Sequence, residues 1–129
     1  MDPRSHAVSG HPRALLMIEG LALFAICIFV YAKLGYSWWL FGALILAPDL
    51  GMVGYLRSPK LGALLYNALH LTAVPIALGV FGYLWPEPLA IAVALIWLAH
   101  IGMDRMLGYG LKYETAFSDT HLGSIGKKG

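Results

Sequence analysis

Six polar residues stand out from an otherwise apolar chain: Glu19, Asp49, Asn67, His70, His100 and Asp104. Each interrupts a long hydrophobic run, where such side chains are costly and mark functional sites by default. His100 and Asp104 are i,i+4 and share a helix face, Asn67 and His70 are i,i+3, and Tyr66 is i,i+4 from His70. Two imidazoles with carboxylates make a hard-to-borderline donor set of the kind that holds Zn, Fe or Mn. The simplest site is one divalent ion held by His70, His100 and one or two of Asp49 and Asp104. Glu19 is then free to act as general base towards a metal-activated water, and Asn67 to orient a ligand or the substrate. The Glu-x-x-His pairs of di-iron helical bundles are absent. Asp119 and His121, in the tail, are candidate lid residues at the pocket mouth, although Ser118–His121 reads more simply as a helix cap or turn.

Three other readings fit the same residues. Asp49 and Asp104 can pair with Arg57 or Arg105 while neutral histidines bond across helices, the usual glue of membrane bundles. The protein is then a non-enzymatic small-ligand or ion-binding bundle, or one related to transport. Bis-His haem is a second alternative, since His70 and His100 lie at matching depth, but it leaves three acids crowded round the macrocycle. A proton path is a third, and it lacks polar stepping stones in one half of the spans.

What must position these residues follows from composition. The chain has 129 residues, 59% hydrophobic and 12% charged, with mean hydropathy +0.69. Soluble domains are about 45–50% apolar and about 25% charged. A soluble domain, a disordered chain and a disulfide scaffold are excluded, the last because Cys27 stands alone. A net charge of +2 is too weak for a nucleic-acid binder unless the positives cluster on one face, and no nucleic-acid partner is expected.

A membrane protein remains, with the lipid bilayer as its partner and a lipid-soluble small molecule as a candidate ligand. Four runs are long enough to span: 14–32, 38–55, 61–83 and 89–107. The separators are turn-like, with Gly35, Ser58-Pro59 and Pro86/Pro88. Short linkers predict an up-down-up-down four-helix bundle, all-α and a single membrane domain. Pro48 inside the second run predicts a kink beside Asp49 that frees the carbonyl of Leu44. Glu19 within the first run and the lack of a small-residue cleavage site predict a retained helix rather than a signal peptide.

Eight of the nine Lys and Arg fall on the side of the N-terminus, the second loop and the C-terminus; Lys33 alone falls opposite. Both termini are therefore expected in the cytoplasm, in the cytoplasmic (inner) membrane. An aromatic belt of Tyr31, Tyr36, Trp38, Trp39, Tyr83 and Trp85 is expected at the outer edge. A helical rise places Glu19, Asp49, Asn67, His70, His100 and Asp104 at depths of roughly 6–13 Å from the cytoplasmic ends. Their shared depth predicts one cytoplasm-facing pocket. Tyr109, Tyr113 and Phe117 recur at i,i+4 in the tail 108–129, which predicts a short interfacial helix after a break at Gly108 and Gly110.

The run from Ile96 through Tyr113, followed by Thr120-His121-Leu122-Gly123, is distinctive. With Ala47-Pro48-Asp49-Leu50-Gly51 and Tyr66-Asn67-Ala68-Leu69-His70, it resembles the small bacterial membrane proteins grouped as domain of unknown function 4260. That resemblance covers nearly the whole chain and implies a multi-pass membrane protein. It implies no activity and no catalytic residues. The residues themselves lead to a metal-dependent hydrolase acting on a membrane-associated substrate, with the non-enzymatic bundle as its competitor.

Overall fold

The computed structural model describes residues 10–109, together with the backbone of 119–120 and 123–124. The fold is all-helical, with four segments long and apolar enough to cross a membrane: Gly10–Leu34, Trp38–Leu56, Pro59–Leu84 and Pro88–Met106. These are the four expected spans, with ends shifted by a few residues. The first is one helix, α1 (Gly10–Leu34), of 25 residues. Gly35, at φ +73°, ends it in the left-handed region that favours glycine. The Tyr31 hydroxyl donates to the Ser37 carbonyl across the turn. Ser37 then caps α2 (Trp38–Leu44), its Oγ accepting from the Leu40 N–H at 3.4 Å.

The second and third spans are not continuous α-helices. α2 stops at Leu44, and Ala47–Leu56 continues as a 3₁₀ helix. Pro48 has no N–H to close an α-helical bond to Leu44, so the expected kink becomes a change of helix type. A 3₁₀ run of ten residues is long by ordinary standards, and such stretches mark hinges or functional sites. The third span opens with Ser58 capping α3 (Pro59–His70), its Oγ accepting from the Leu61 N–H at 3.0 Å. It breaks at Leu71, which is extended (φ −83°, ψ 120°), and resumes as α4 (Ala73–Leu84). Pro75 explains the break: it lacks the N–H that would bond the Leu71 carbonyl, and its ring would clash with that carbonyl.

The fourth span, α5 (Pro88–Met106), is the central helix. Buried residues make up 44% of its apolar window against 17% for each of the others. It packs along α1 and α4, and more briefly against α2 and the 3₁₀ helix. The α1–α5 contact is backbone-close: a Cβ on Gly102 would lie 2.7 Å from the Phe24 nitrogen and 2.8 Å from the Gly20 oxygen. The 3₁₀ helix lies equally close on α3, where a Cβ on Gly54 would meet Gly62 Cα and Leu61 O at 2.9 Å. α5 ends at Gly108 (φ +86°), as expected, with the Tyr109 N–H returning to the Asp104 carbonyl at 2.7 Å. The interfacial helix expected around Tyr113 and Phe117 lies outside the described residues. β1 (Asp119–Thr120) and β2 (Gly123–Ser124) form a two-residue antiparallel ladder.

Polarity is inverted relative to a soluble protein. Leu15, Ile18, Phe29, Leu50, Val53 and Ile76 face outward, while His70, His100 and Asp104 are buried. Outward apolar surface on the first three spans suits a lipid environment. Trp39, Tyr83 and Trp85 are exposed at the ends where the belt was expected. Tyr31 is not part of that belt: it is fully buried, edge-on to Tyr36 and Phe41 with centroids at 5.5 and 5.3 Å.

Candidate metal centre

Both helix breaks face the same stretch of α5, and this is what assembles the site. α5 presents His100 and Asp104 one turn apart. α3 ends at His70, so the break after it leaves the imidazole at the terminus of a half-helix. The 3₁₀ helix delivers Asp49 from its first turn, immediately after Pro48. Asp49, His70, His100 and Asp104 each offer one ligand atom, and all four atoms lie within 4.8 Å of one another.

The two Nε2 atoms are 3.0 Å apart. Asp49 Oδ1 is 3.3 Å from the Nε2 of His70 and 3.1 Å from that of His100. Asp104 Oδ2 is 3.1 and 3.2 Å from the same two nitrogens. The other ring nitrogens are already committed. His70 Nδ1 lies 2.8 Å from the Tyr66 carbonyl, and His100 Nδ1 lies 2.6 Å from the Ile45 carbonyl. A carbonyl only accepts, so both Nδ1 atoms carry the proton and donate it. Each neutral imidazole then turns a bare Nε2 lone pair towards the centre. Two lone pairs and two carboxylate oxygens converge with nothing but acceptors among them. Either a cation sits between them or at least one of these nitrogens or carboxyl groups carries a proton.

A cation fits. A tetrahedron with ligands at about 2.0–2.1 Å has edges of about 3.3–3.4 Å, and an octahedron of that size has adjacent edges of about 2.8–3.0 Å. The five distances above span 3.0–3.3 Å. They lie between those two sets of edges, and the four residues could hold one divalent ion. Backbone carbonyls holding the far nitrogen of each histidine are the outer layer that fixes tautomer and ring orientation in metal sites. The same distances leave no plane for a porphyrin, because carboxylate oxygens fill the positions beside both nitrogens; the bis-His haem alternative is set aside on that ground.

The carbonyl that fixes His100 comes from the break in the second span. Ile45 O accepts from His100, while the Asp49 N–H bonds Leu46 O at 3.1 Å. The sequence pointed to Leu44 as the freed carbonyl; Ile45 is the one used. At the other break Leu69 O accepts from the Trp97 indole N–H at 2.5 Å. Both spans are interrupted where their freed groups are satisfied inside the protein, the condition under which membranes tolerate broken helices.

Tyr66 is the principal addition to the sequence picture. Its ring stacks on His70 at 3.7 Å and 11°, and its hydroxyl donates to Asp104 Oδ2 at 3.3 Å. One residue thus holds His70 by ring and carbonyl and Asp104 by hydroxyl. Its i,i+4 relation to His70 was the available signal.

Among the described residues, no other candidate belongs to the four-residue cluster. Glu19 faces a cavity with Thr72 and Arg105, and that cavity shares no lining residue with the one beside the cluster. Asn67 is half-buried on α3 and is not one of the four clustered residues. His121 lies outside the described residues, as does the side chain of Asp119.

The chain belongs to the family described as Domain of unknown function (DUF4260), whose model matches residues 13–125. No curated protein and no solved structure matches it.

Proposed function

We propose that this membrane protein holds one divalent transition-metal ion through His70, His100, Asp49 and Asp104, and uses it to hydrolyse a membrane-associated substrate. The observation that carries the metal is the convergence of two Nε2 lone pairs on two carboxylates, with both Nδ1 protons already given to carbonyls. A bound ion would supply Lewis acidity and a water activated near neutral pH. Four protein ligands close a tetrahedral zinc sphere, which is the pattern of structural sites. Hydrolysis therefore needs a ligand that can yield or an expanded sphere. Asp49 suits the first role: its side chain is 31% exposed, whereas those of His70, His100 and Asp104 are 4%, 0% and 10% exposed. Asn67 is the candidate orienting amide and Asp119 and His121 are candidate lid residues, while Glu19, which lines the separate cavity with Thr72 and Arg105, would have to leave that cavity to serve as the base. The eight-to-one placement of Lys and Arg supports both termini in the cytoplasm, with the protein in the cytoplasmic membrane.

A second reading rests on the same Nε2–Nε2 contact. Without an ion, one proton on Nε2 makes an imidazolium that bonds the facing acceptors, and the cluster is a packing device.

Metal titration separates the two. Detergent-solubilised protein, stripped with chelator, should bind one equivalent of Zn, Mn or Fe. The His70→Ala/His100→Ala variant should bind none. The reloaded wild type should turn over a panel of lipophilic ester and phosphoester reporters, and the stripped form should not. A protein that stays folded and binds no ion overturns the metal; an ion-loaded protein inert towards the panel overturns the hydrolase.

A further inference from the structure

A cavity of about 210 Å³ lies against the metal cluster. Its walls include Leu44, Pro48, Leu69, Val93, Ile96 and Trp97. Pro48 directly precedes Asp49, Leu69 directly precedes His70, and Ile96 stands one helical turn before His100. Every ligand-bearing segment therefore contributes a wall residue. The walls are hydrocarbon except for the Trp97 indole N–H, which is already bonded to the Leu69 carbonyl. An occupant meets mainly hydrocarbon inside the cavity. Asp49, next in the chain to the wall residue Pro48, is the partly exposed member of the cluster. Leu46 and Leu50, in the segment that forms one wall, are 62% and 69% exposed. That face of the segment is turned outward.

We infer, on the basis of the metal-centre reading above, that the substrate is a small lipophilic molecule entering sideways from the bilayer. It carries an apolar group the size of a single ring or a short alkyl chain, joined to an oxygen-bearing group that reaches the ion. Size sets the class. An apolar cavity of about 150 Å³ takes up benzene. One of about 210 Å³ accepts a substituted ring or an alkyl chain of roughly six carbons. A full-length acyl chain does not fit within that volume.

The probe is a series of alkyl hydroxamates, which chelate a divalent ion at one end and carry a chain of chosen length at the other. Metal content of the full-length protein in detergent is measured first; a metal-free protein overturns the underlying reading and this inference with it. With the ion bound, affinity should tighten about fourfold per methylene from acetohydroxamate to about hexanohydroxamate, then level off. Val93→Phe fills the cavity and should abolish the chain-length dependence with the ion still bound; Ala47→Leu is the alternative should the first variant fail to fold. Three results with the ion present overturn the inference alone. One is a flat series. Another is the same rise in wild type and filled variants, which reports partition into detergent. The third is a rise continuing to a twelve-carbon chain, which reports an open groove for long acyl chains.

Discussion

Tyr66→Phe tests whether the residues behind the ligands matter. The substitution keeps the ring that stacks on His70 at 3.7 Å and the backbone carbonyl that accepts from His70 Nδ1 at 2.8 Å. It removes one group, the hydroxyl that donates to Asp104 Oδ2 at 3.3 Å. Hydrogen bonds to charged acceptors contribute about 1.5–3 kcal/mol. At 3.3 Å this bond is long, so the lower end applies, and about 1.4 kcal/mol corresponds to about tenfold in Kd. That agrees with the 10- to 100-fold typical of losing an outer-layer partner in a metal site. The assay is competition for the ion against a chromophoric chelator, with thermal unfolding followed in parallel. The expected result is weaker binding by about tenfold with little change in Tm. Tyr66→Leu, which also loses the stacked ring, should weaken binding further. Equal affinity in Tyr66→Phe and wild type would refute the assignment of the hydroxyl as the group that orients Asp104. A loss that only tracks a fall in Tm would reduce Tyr66 to a packing residue.

Three further outcomes follow from the same geometry. Without an ion the Nε2–Nε2 contact requires a proton, so loading should release about one proton per ion and affinity should fall on acidification; calorimetry in buffers of different ionisation enthalpy measures the release, and none would contradict the protonation argument. Gly102→Ala puts a Cβ 2.7 Å from the Phe24 nitrogen, a backbone atom that cannot rotate away, and should cost about 1–3 kcal/mol of stability, seen as a lower Tm in detergent. Reporter fusions at both ends should read cytoplasmic, and an external C-terminus would overturn the orientation drawn from Lys and Arg.

Much of the site was legible because membrane-embedded polar residues are scarce and the helix period is strict. His100 and Asp104 had to share a face once α5 was read as a helix, and lipid left them only the interior. Asp49 announced itself beside Pro48. What the sequence obscured was the form of the second and third spans. Pro48 reads as a kink, but whether the chain bends or winds into a 3₁₀ helix depends on what accepts and donates nearby, here His100 and α3. Pro75 lies in plain view within the third run and accounts for the break at Leu71, but the sequence does not show that Trp97 stands where it can satisfy Leu69 O. Tyr31 looked like a belt residue because type and depth matched; its burial depends on the Gly35 turn folding Tyr36 and Phe41 over it. Glu19 matched the cluster in depth, but depth does not fix azimuth, and α1 turns it towards the Thr72 and Arg105 cavity.

The most direct test of the central claim is X-ray absorption at the metal edge on protein loaded with one equivalent of ion. His70, His100, Asp49 and Asp104 as ligands predict a first shell of nitrogen and oxygen at about 2.0–2.2 Å with outer-shell scattering from two imidazoles. The two-imidazole signal should vanish in the His70→Ala/His100→Ala variant. A first shell containing sulfur, a spectrum without imidazole scattering, or protein that retains no ion at all would contradict the assignment.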